Sequence, residues 1–283
     1  MKNPVAQPDP IPKAALNNPA AHPLISSLRL LRLLLHVSQG VLTAAILLPR
    51  LSHAQRQQRI QRWSAKTIAI LNVRVAVYGQ LPPATRHSML FIANHISWID
   101  IWAILQVQPV SFVAKSEVRN WPVIGWLAQK TGTLFIERTR RQDTGRAASS
   151  MEQELRAGKC LCLFPEGTTT NGTELRPFKT GLLQSAINAE VMVSPIAIRY
   201  PNPDGSTNTV IAYYGDVTMM QSLHAILRQR EIMVELHFLP PVPALGQERR
   251  QLSSQARDAI SSLLHLPEHK APETPAGLPA AAP

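Results

Sequence analysis

The segment Met89-Leu-Phe-Ile-Ala-Asn-His-Ile-Ser-Trp-Ile-Asp100 decides the fold. Five apolar residues in succession read as a strand buried on both faces. They stop at the polar pair Asn94-His95, and a helix-like stretch, Ser97–Leu105, follows. The same order recurs further on. The apolar run Cys160-Leu-Cys-Leu-Phe164 ends in a turn at Pro165-Glu166-Gly167-Thr168. Polar clusters at the ends of two buried strands are how an open α/β sheet presents a site, because its crevice lies outside the carboxyl ends of the strands.

Working outward, strand-like runs fall at Val73–Tyr78, Met89–Ala93, Val110–Ala114, Thr133–Ile136, Cys160–Phe164, Val191–Ile198, Thr209–Tyr214 and Ile232–Phe238. Helix-like stretches lie between many of them, at Ser97–Leu105, Pro122–Thr131, Asp143–Ala157, Gly181–Ala189, Met219–Arg228 and Gln251–Leu264. This alternation predicts an α/β layered fold with a largely parallel or mixed sheet over residues 73–265.

The ends differ from the middle. Eleven of the 24 prolines lie in residues 1–23 and 267–283, among many alanines, so a head (1–24) and a tail (266–283) are expected to be disordered. Leu33 to Pro49 carries no charge over 17 residues and is bounded by Arg32 and Arg50. As a helix it would be about 25 Å long, at the lower edge of what crosses a bilayer. From Ala54 to Leu71, Ile60, Trp63, Thr67, Ile70 and Leu71 share one helix face, with arginines and glutamines opposite. Residues 25–72 therefore read as a two-helix membrane element, monotopic or barely spanning.

The formal charge is +11, and its distribution matters more than its size. Between Asp9 and Asp100 there is no acidic residue but ten lysines and arginines. A one-sign stretch around an apolar run suits anionic lipid. Nucleic acid is the other partner of basic chains, but no aromatic interleaving or nucleic-acid motif accompanies the charge, and none is expected to bind. Cys160 and Cys162, the two cysteines, are spaced to share one strand face in the core. They form no disulfide framework or metal site, and a reducing, cytoplasmic side of the inner membrane fits them.

His95 and Asp100 carry the expected chemistry. An imidazole suits removal of a proton from an alcohol, and a carboxylate on its second nitrogen fixes the tautomer. Five residues of regular helix amount to a rotation of about 140°, so the pair can meet only if His95 precedes the first helical turn and Asp100 lies within it. No Gly-x-Ser-x-Gly elbow occurs, which disfavours a serine acyl-enzyme and favours direct attack by an activated hydroxyl.

Four segments together carry a resemblance. Asn94-His95 to Asp100, Gly132-Thr-Leu-Phe-Ile-Glu-Arg138, Phe164-Pro-Glu-Gly-Thr168 and Val193-Ser-Pro-Ile196 resemble the hallmarks of the glycerolipid acyltransferase family over roughly residues 70 to 240. The resemblance implies transfer of a fatty acyl group, from acyl-CoA or acyl-carrier protein as co-substrate and with no cofactor, to a lyso-lipid hydroxyl at a membrane. It places Glu166, Gly167 and Thr168 at the acceptor's head group, where Glu166 binds polar groups or braces the histidine loop. It also suggests Arg138 and Lys115 for an anionic head group. Thr169 departs from the arginine usual in members acting on lysophosphatidic acid and is similar to the branch that acylates lyso-ornithine lipids; Arg176 and Lys179 lie near enough in sequence to replace the charge. A catalytically silent membrane-binding protein of the same fold is the alternative, and it predicts loss of His95, Asp100 or Glu166, all of which are present.

Overall fold

The computed structural model describes residues 20–82, 88–137 and 141–266. The head through residue 19 and the tail from 267, for which composition predicts disorder, lie outside the described residues, as does Arg138. Among the described residues eight strands form one sheet: β1 (Val73–Gly79), β2 (Met89–Ala93), β3 (Ser111–Lys115), β4 (Leu134–Ile136), β5 (Leu161–Leu163), β6 (Met192–Arg199), β7 (Ile232–Phe238) and β8 (Val242–Pro243). Their order is β1-β7-β6-β2-β5-β3-β4, with β8 also paired to β6. From β6 to β4 the pairs are parallel; β7 runs antiparallel to β6 and parallel to β1. The sheet is therefore mixed and mostly parallel.

Strand β2 is central, and alternation along it feeds both faces. Phe91 and Ala93 enter one core with Cys160, Cys162 and Phe164, while Leu90 and Ile92 enter the other with Leu161 and Leu163. The first core is covered by α1 (Pro23–Leu42), α2 (His53–Ile70), α3 (Ile99–Val107) and α7 (Met219–Arg228). The second is covered by α5 (Arg141–Arg156), α6 (Gln184–Asn188) and α8 (Arg249–Leu264). A short α4 (Ile124–Lys130) precedes β4. From β2 the chain crosses through α3 to β3 on one side, and from β5 it crosses through α6 to β6 on the other. Helices leave on opposite faces at this point, which opens a crevice at the carboxyl end of β2.

Two expectations change. Thr209–Tyr214 is not a strand: Asn208 caps a tight turn at Thr209–Ile211, its side chain accepting from the Val210 N–H at 3.2 Å, and Ile211 and Ala212 sink into the core. The apolar stripe of α2 does not face lipid either. Ile60, Ile68, Ile70 and Leu71 pack on the first core, and Trp63 lies between His36 (stacked, 4.6 Å) and Trp102 (edge-on, 5.0 Å). The face that the sequence pattern assigns to a membrane is used against α3.

The first helix is longer than its uncharged stretch. It starts at Pro23 with His22 capping Leu24, and runs through a wide and then a tight turn to Arg50. An 18-residue window within these 28 residues has a mean hydropathy of 1.7, and the helix is long and apolar enough to cross a membrane. Leu24, Leu28, Leu31, Leu35, Leu42 and Ile46 are exposed on it. Several basic residues of this region bind backbone. Arg29 donates to the carbonyls of Leu227, Gln229 and Arg230, and Arg56 to those of Leu51 and Pro49.

Helices α1 and α2 touch where Gly40 meets Trp63. A Cβ added at Gly40 would lie 2.8 Å from the indole Nε1, and that ring is held from both sides and donates to the His36 carbonyl at 3.3 Å. Gly40→Ala is expected to cost about 1–3 kcal/mol, the usual penalty of overpacking. Thermal unfolding in detergent checks this; an unchanged midpoint would show that the indole yields freely.

Candidate active site

His95 lies in the extended loop between β2 and α3, and Asp100 in the first turn of α3. The loop turns back so that Nδ1 of His95 is 2.8 Å from Oδ2 of Asp100. The same carboxylate oxygen accepts the backbone N–H groups of Ile96 (2.8 Å) and Ser97 (3.0 Å), so Asp100 ties down the loop that leads into its own helix while orienting the ring. Its other oxygen accepts the hydroxyl of Tyr200 at 2.5 Å. Asp100 and Tyr200 are both fully buried, and four donors satisfy the carboxylate there. With Nδ1–H pledged to Asp100, Nε2 is the nitrogen with a lone pair to offer, and it has no hydrogen-bond partner among the described residues.

A second carboxylate holds the histidine backbone. Oε1 of Glu166 accepts the His95 N–H and Oε2 accepts the Arg176 N–H, each at 2.9 Å. Each oxygen takes one backbone donor, so within the chain Glu166 braces the histidine loop. Burial pushes its carboxyl up to about 7, against the pull of those two N–H donors. The rest of the loop is equally tied. Thr170 donates its N–H to the His95 carbonyl and Tyr213 to that of Ile96, each at 2.9 Å. Asn94 exchanges two bonds with the backbone of Ile198 (2.7 and 2.9 Å), fixing the end of β2 to β6. The imidazole stacks on Phe164, centroids 3.8 Å apart, and Phe112 stacks behind Phe164.

The remaining predicted residues divide. Gly167 sits at φ +72°, closing the turn with its N–H on the Phe164 carbonyl (3.1 Å), and Thr168 is exposed beside it. Lys115 is exposed at the end of β3, on the same edge of the sheet as His95. Arg138 lies outside the described residues. The Thr169 hydroxyl donates to the Tyr213 carbonyl. The Arg176 guanidinium is half exposed, 3.6 Å from Glu174, a pair that solvent weakens. Among the described residues no group of three or more His, Cys, Asp or Glu is gathered that could hold a metal.

Sequence reasoning missed Tyr200. No spacing rule links it to Asp100, one hundred residues away, although its place just after β6 puts it at the edge where a site was expected. Burial and the adjacent Asp100 push its phenol well above the usual range, so it remains a donor. Tyr213 was missed for a related reason, since its segment reads as a strand yet serves the site through backbone bonds.

Residues 74–199 match the family model described as Acyltransferase. A lyso-ornithine lipid O-acyltransferase from Pseudomonas aeruginosa is 40% identical over 72% of this chain and 78% of its own length. A 1-acyl-sn-glycerol-3-phosphate acyltransferase from Neisseria gonorrhoeae is 33% identical over 70% and 77%. The crystal structure of the 1-acyl-sn-glycerophosphate acyltransferase PlsC from Thermotoga maritima superposes with a TM-score of 0.59 at 21% identity, covering 84% of this chain and 96% of that one, which establishes a common fold. A histidine oriented by a buried carboxylate at the end of β2, in a chain so closely related to these enzymes, identifies the protein as an acyltransferase of the glycerolipid acyltransferase family.

Proposed function

We propose that this acyltransferase moves a fatty acyl group from a thioester, acyl-CoA or acyl-carrier protein, to the hydroxyl of a lyso-lipid at the cytoplasmic face of the inner membrane, held there by α1. The observation that carries this reading is the His95–Asp100 pair, with Nε2 free among the described residues. Nε2 takes the proton of the acceptor hydroxyl as its oxygen attacks the thioester carbonyl. The tetrahedral intermediate then expels the thiolate, which recovers the proton from the imidazolium. Asp100 holds the tautomer and stabilises the positive ring; Tyr200 acts through Asp100 and is a positioning residue. On this reading Thr168 and Lys115 meet the acceptor, and their exposure supports that role.

For the acceptor, the reading favours a lyso-ornithine lipid over lysophosphatidic acid. It is supported by Thr169, which stands where members acting on the latter usually carry arginine, and by several relatives whose names specify lyso-ornithine lipid. The Thr169 hydroxyl is spent on the Tyr213 carbonyl, a bond to the backbone beside the site.

His95→Ala is expected to lower turnover by about 10²–10⁴-fold while the protein stays folded and membrane-bound, because a general base typically contributes that much. Asp100→Asn should approach the same loss. A purified His95→Ala enzyme keeping more than about a tenth of wild-type turnover refutes the assignment.

Tyr200→Phe keeps the packing and removes one bond to a charged group, which typically contributes about 1.5–3 kcal/mol. Without that donor the carboxylate's charge falls more strongly on the imidazolium. The acid limb of kcat/KM should therefore move to higher pH and turnover should fall, with KM little changed. If the Tyr200 hydroxyl served folding alone, the melting temperature would drop and the pH profile would stay where it was.

The acceptor reading is checked by kcat/KM for lyso-ornithine lipid and lysophosphatidic acid with one acyl donor. The wild type should prefer the former, and Thr169→Arg should shift the ratio toward the latter by roughly tenfold or more, the equivalent of one charge-assisted phosphate contact at 1.4 kcal/mol per decade. A wild-type preference of a hundredfold for lysophosphatidic acid would mean that Arg176 or another cation already serves the phosphate.

A further inference from the structure

The loop between β3 and α4, together with the first residue of α4, carries four consecutive exposed apolar residues, Trp121, Pro122, Val123 and Ile124. Apolar runs normally hide, and this one is built to stay out. Val123 sits at φ +63°, ψ −53°, with the Ile124 N–H bonded to the Pro122 carbonyl at 2.6 Å: a γ-turn of the rare, strained hand, centred on a β-branched residue. Behind it the chain is packed tightly. A Cβ on Gly125 would fall 2.2 Å from the Arg119 carbonyl oxygen and 2.5 Å from that of Val118, so the turn is clamped against the preceding segment. Arg119 lies over the Phe135 ring and Lys130 over Trp126.

Position gives the patch its meaning. It follows β3, which is parallel to β5 and hence to β2, so it rises from the carboxyl edge on which His95 and the Phe164–Glu166 turn lie. On the other flank of the site, the start of α1 is fastened to the same edge: the Ala21 N–H bonds to the Arg228 carbonyl, and Arg29 grips Leu227, Gln229 and Arg230 just before β7 begins. Strand β7 runs antiparallel to β6, so its start stands beyond the carboxyl end of β6. At roughly 4.8 Å per strand, the four steps from β7 through β6, β2 and β5 to β3 put about 20 Å of sheet between the strand next to the start of α1 and the strand that leads to the tip, with β2, which ends at His95, between them. Around the patch, exposed Lys115, Arg119 and Lys130 outnumber the exposed carboxylates of Glu117 and Glu137.

We infer that Trp121–Ile124 is a second membrane contact, a rigid apolar tip ringed by cations that enters the interface of an anionic bilayer on the side of the site opposite α1. Exposed apolar residues, one of them a tryptophan, with a basic surround match the two attractions of such a surface, burial of apolar area and the negative potential of the leaflet. With α1 at one flank and this tip at the other, the crevice faces the bilayer squarely. A lyso-lipid then reaches Nε2 by rising out of the leaflet without crossing water. The inference rests on the proposed lipid acceptor for its purpose, but its test does not.

The full-length Val123→Cys protein can be labelled with an environment-sensitive dye, since Cys160 and Cys162 are buried. Vesicles of phosphatidylglycerol and phosphatidylcholine should shift its emission to the blue, whereas dye on Gln251→Cys, exposed on α8 across the sheet, should not respond. In the second arm, Trp121→Ser with Val123→Asn removes apolar area and relieves the strained φ, so stability should not fall. This variant should lose about tenfold or more in acyl transfer to vesicle-borne acceptor, yet stay within about twofold of wild type on a short-chain acceptor below its critical micelle concentration. An aqueous-like emission at position 123 on vesicles that sediment the protein overturns the inference. So does a dye that responds to acyl-carrier protein or to a rise in protein concentration but not to vesicles, or an equal loss on both acceptors. Were no lyso-lipid a substrate, both enzymes would be silent in the activity arm and the dye would still report the contact.

Discussion

The rest of the site depends on one buried carboxylate. Asp100 has no solvent to fall back on, so its charge is tolerable only while His95, Ile96, Ser97 and Tyr200 all donate to it. Those donors come from the loop after β2 and from the end of β6, and Asp100 itself belongs to α3. Three elements must be assembled before the anion is satisfied, and once they are, the imidazole has one orientation. Folding of the domain and formation of the catalytic pair are therefore the same event at this point. Glu166 repeats the device from the β5 side, holding the histidine's backbone where Asp100 holds its ring.

The apolar wall sharpens what the carboxylates do. The imidazole lies flat on Phe164, with Phe112 beyond, and its side chain is 17% exposed. Little water competes for the ring, and Coulombic interactions strengthen as the local dielectric falls. An imidazolium formed there has Asp100 at 2.8 Å as its counter-charge. Nothing in the loop must reorganise to receive the proton, since the His95 N–H, its carbonyl and the Ile96 carbonyl are already bonded.

Much of this was legible in the sequence wherever the signal was local. The strand of Met89–Ala93 and the helix of Met219–Arg228 are as their patterns predict, and the His95–Asp100 geometry follows from five residues of spacing and a turn. What was illegible is long-range. The stripe on α2 is the same pattern whether its partner is lipid or α3, and sequence periodicity cannot name the partner. Thr209–Ile211 is β-branched and reads as strand, but Asn208 offers the backbone a competing bond, and the chain just beyond it braces the site through the Tyr213 N–H. Tyr200 has no local signal at all, since its partner is set by the pairing of β2 with β6.

The first helix shows how position follows from packing as well as from composition. A tether would let the catalytic domain float at any height above a bilayer. Here α1 is bonded to the domain along its length: Arg29 on three carbonyls at its start, His36 against Trp63 and Thr67 in its middle, Gly40 under the indole. Its leucines point outward from a helix that cannot move independently of the sheet. On the proposed reading, the depth of α1 in the membrane then fixes the height of the β2 edge, and with it the distance from His95 to the lipid plane. The reach of the acceptor hydroxyl becomes a property of how Trp63 packs, which is why a residue that touches no substrate belongs in any account of this enzyme's activity.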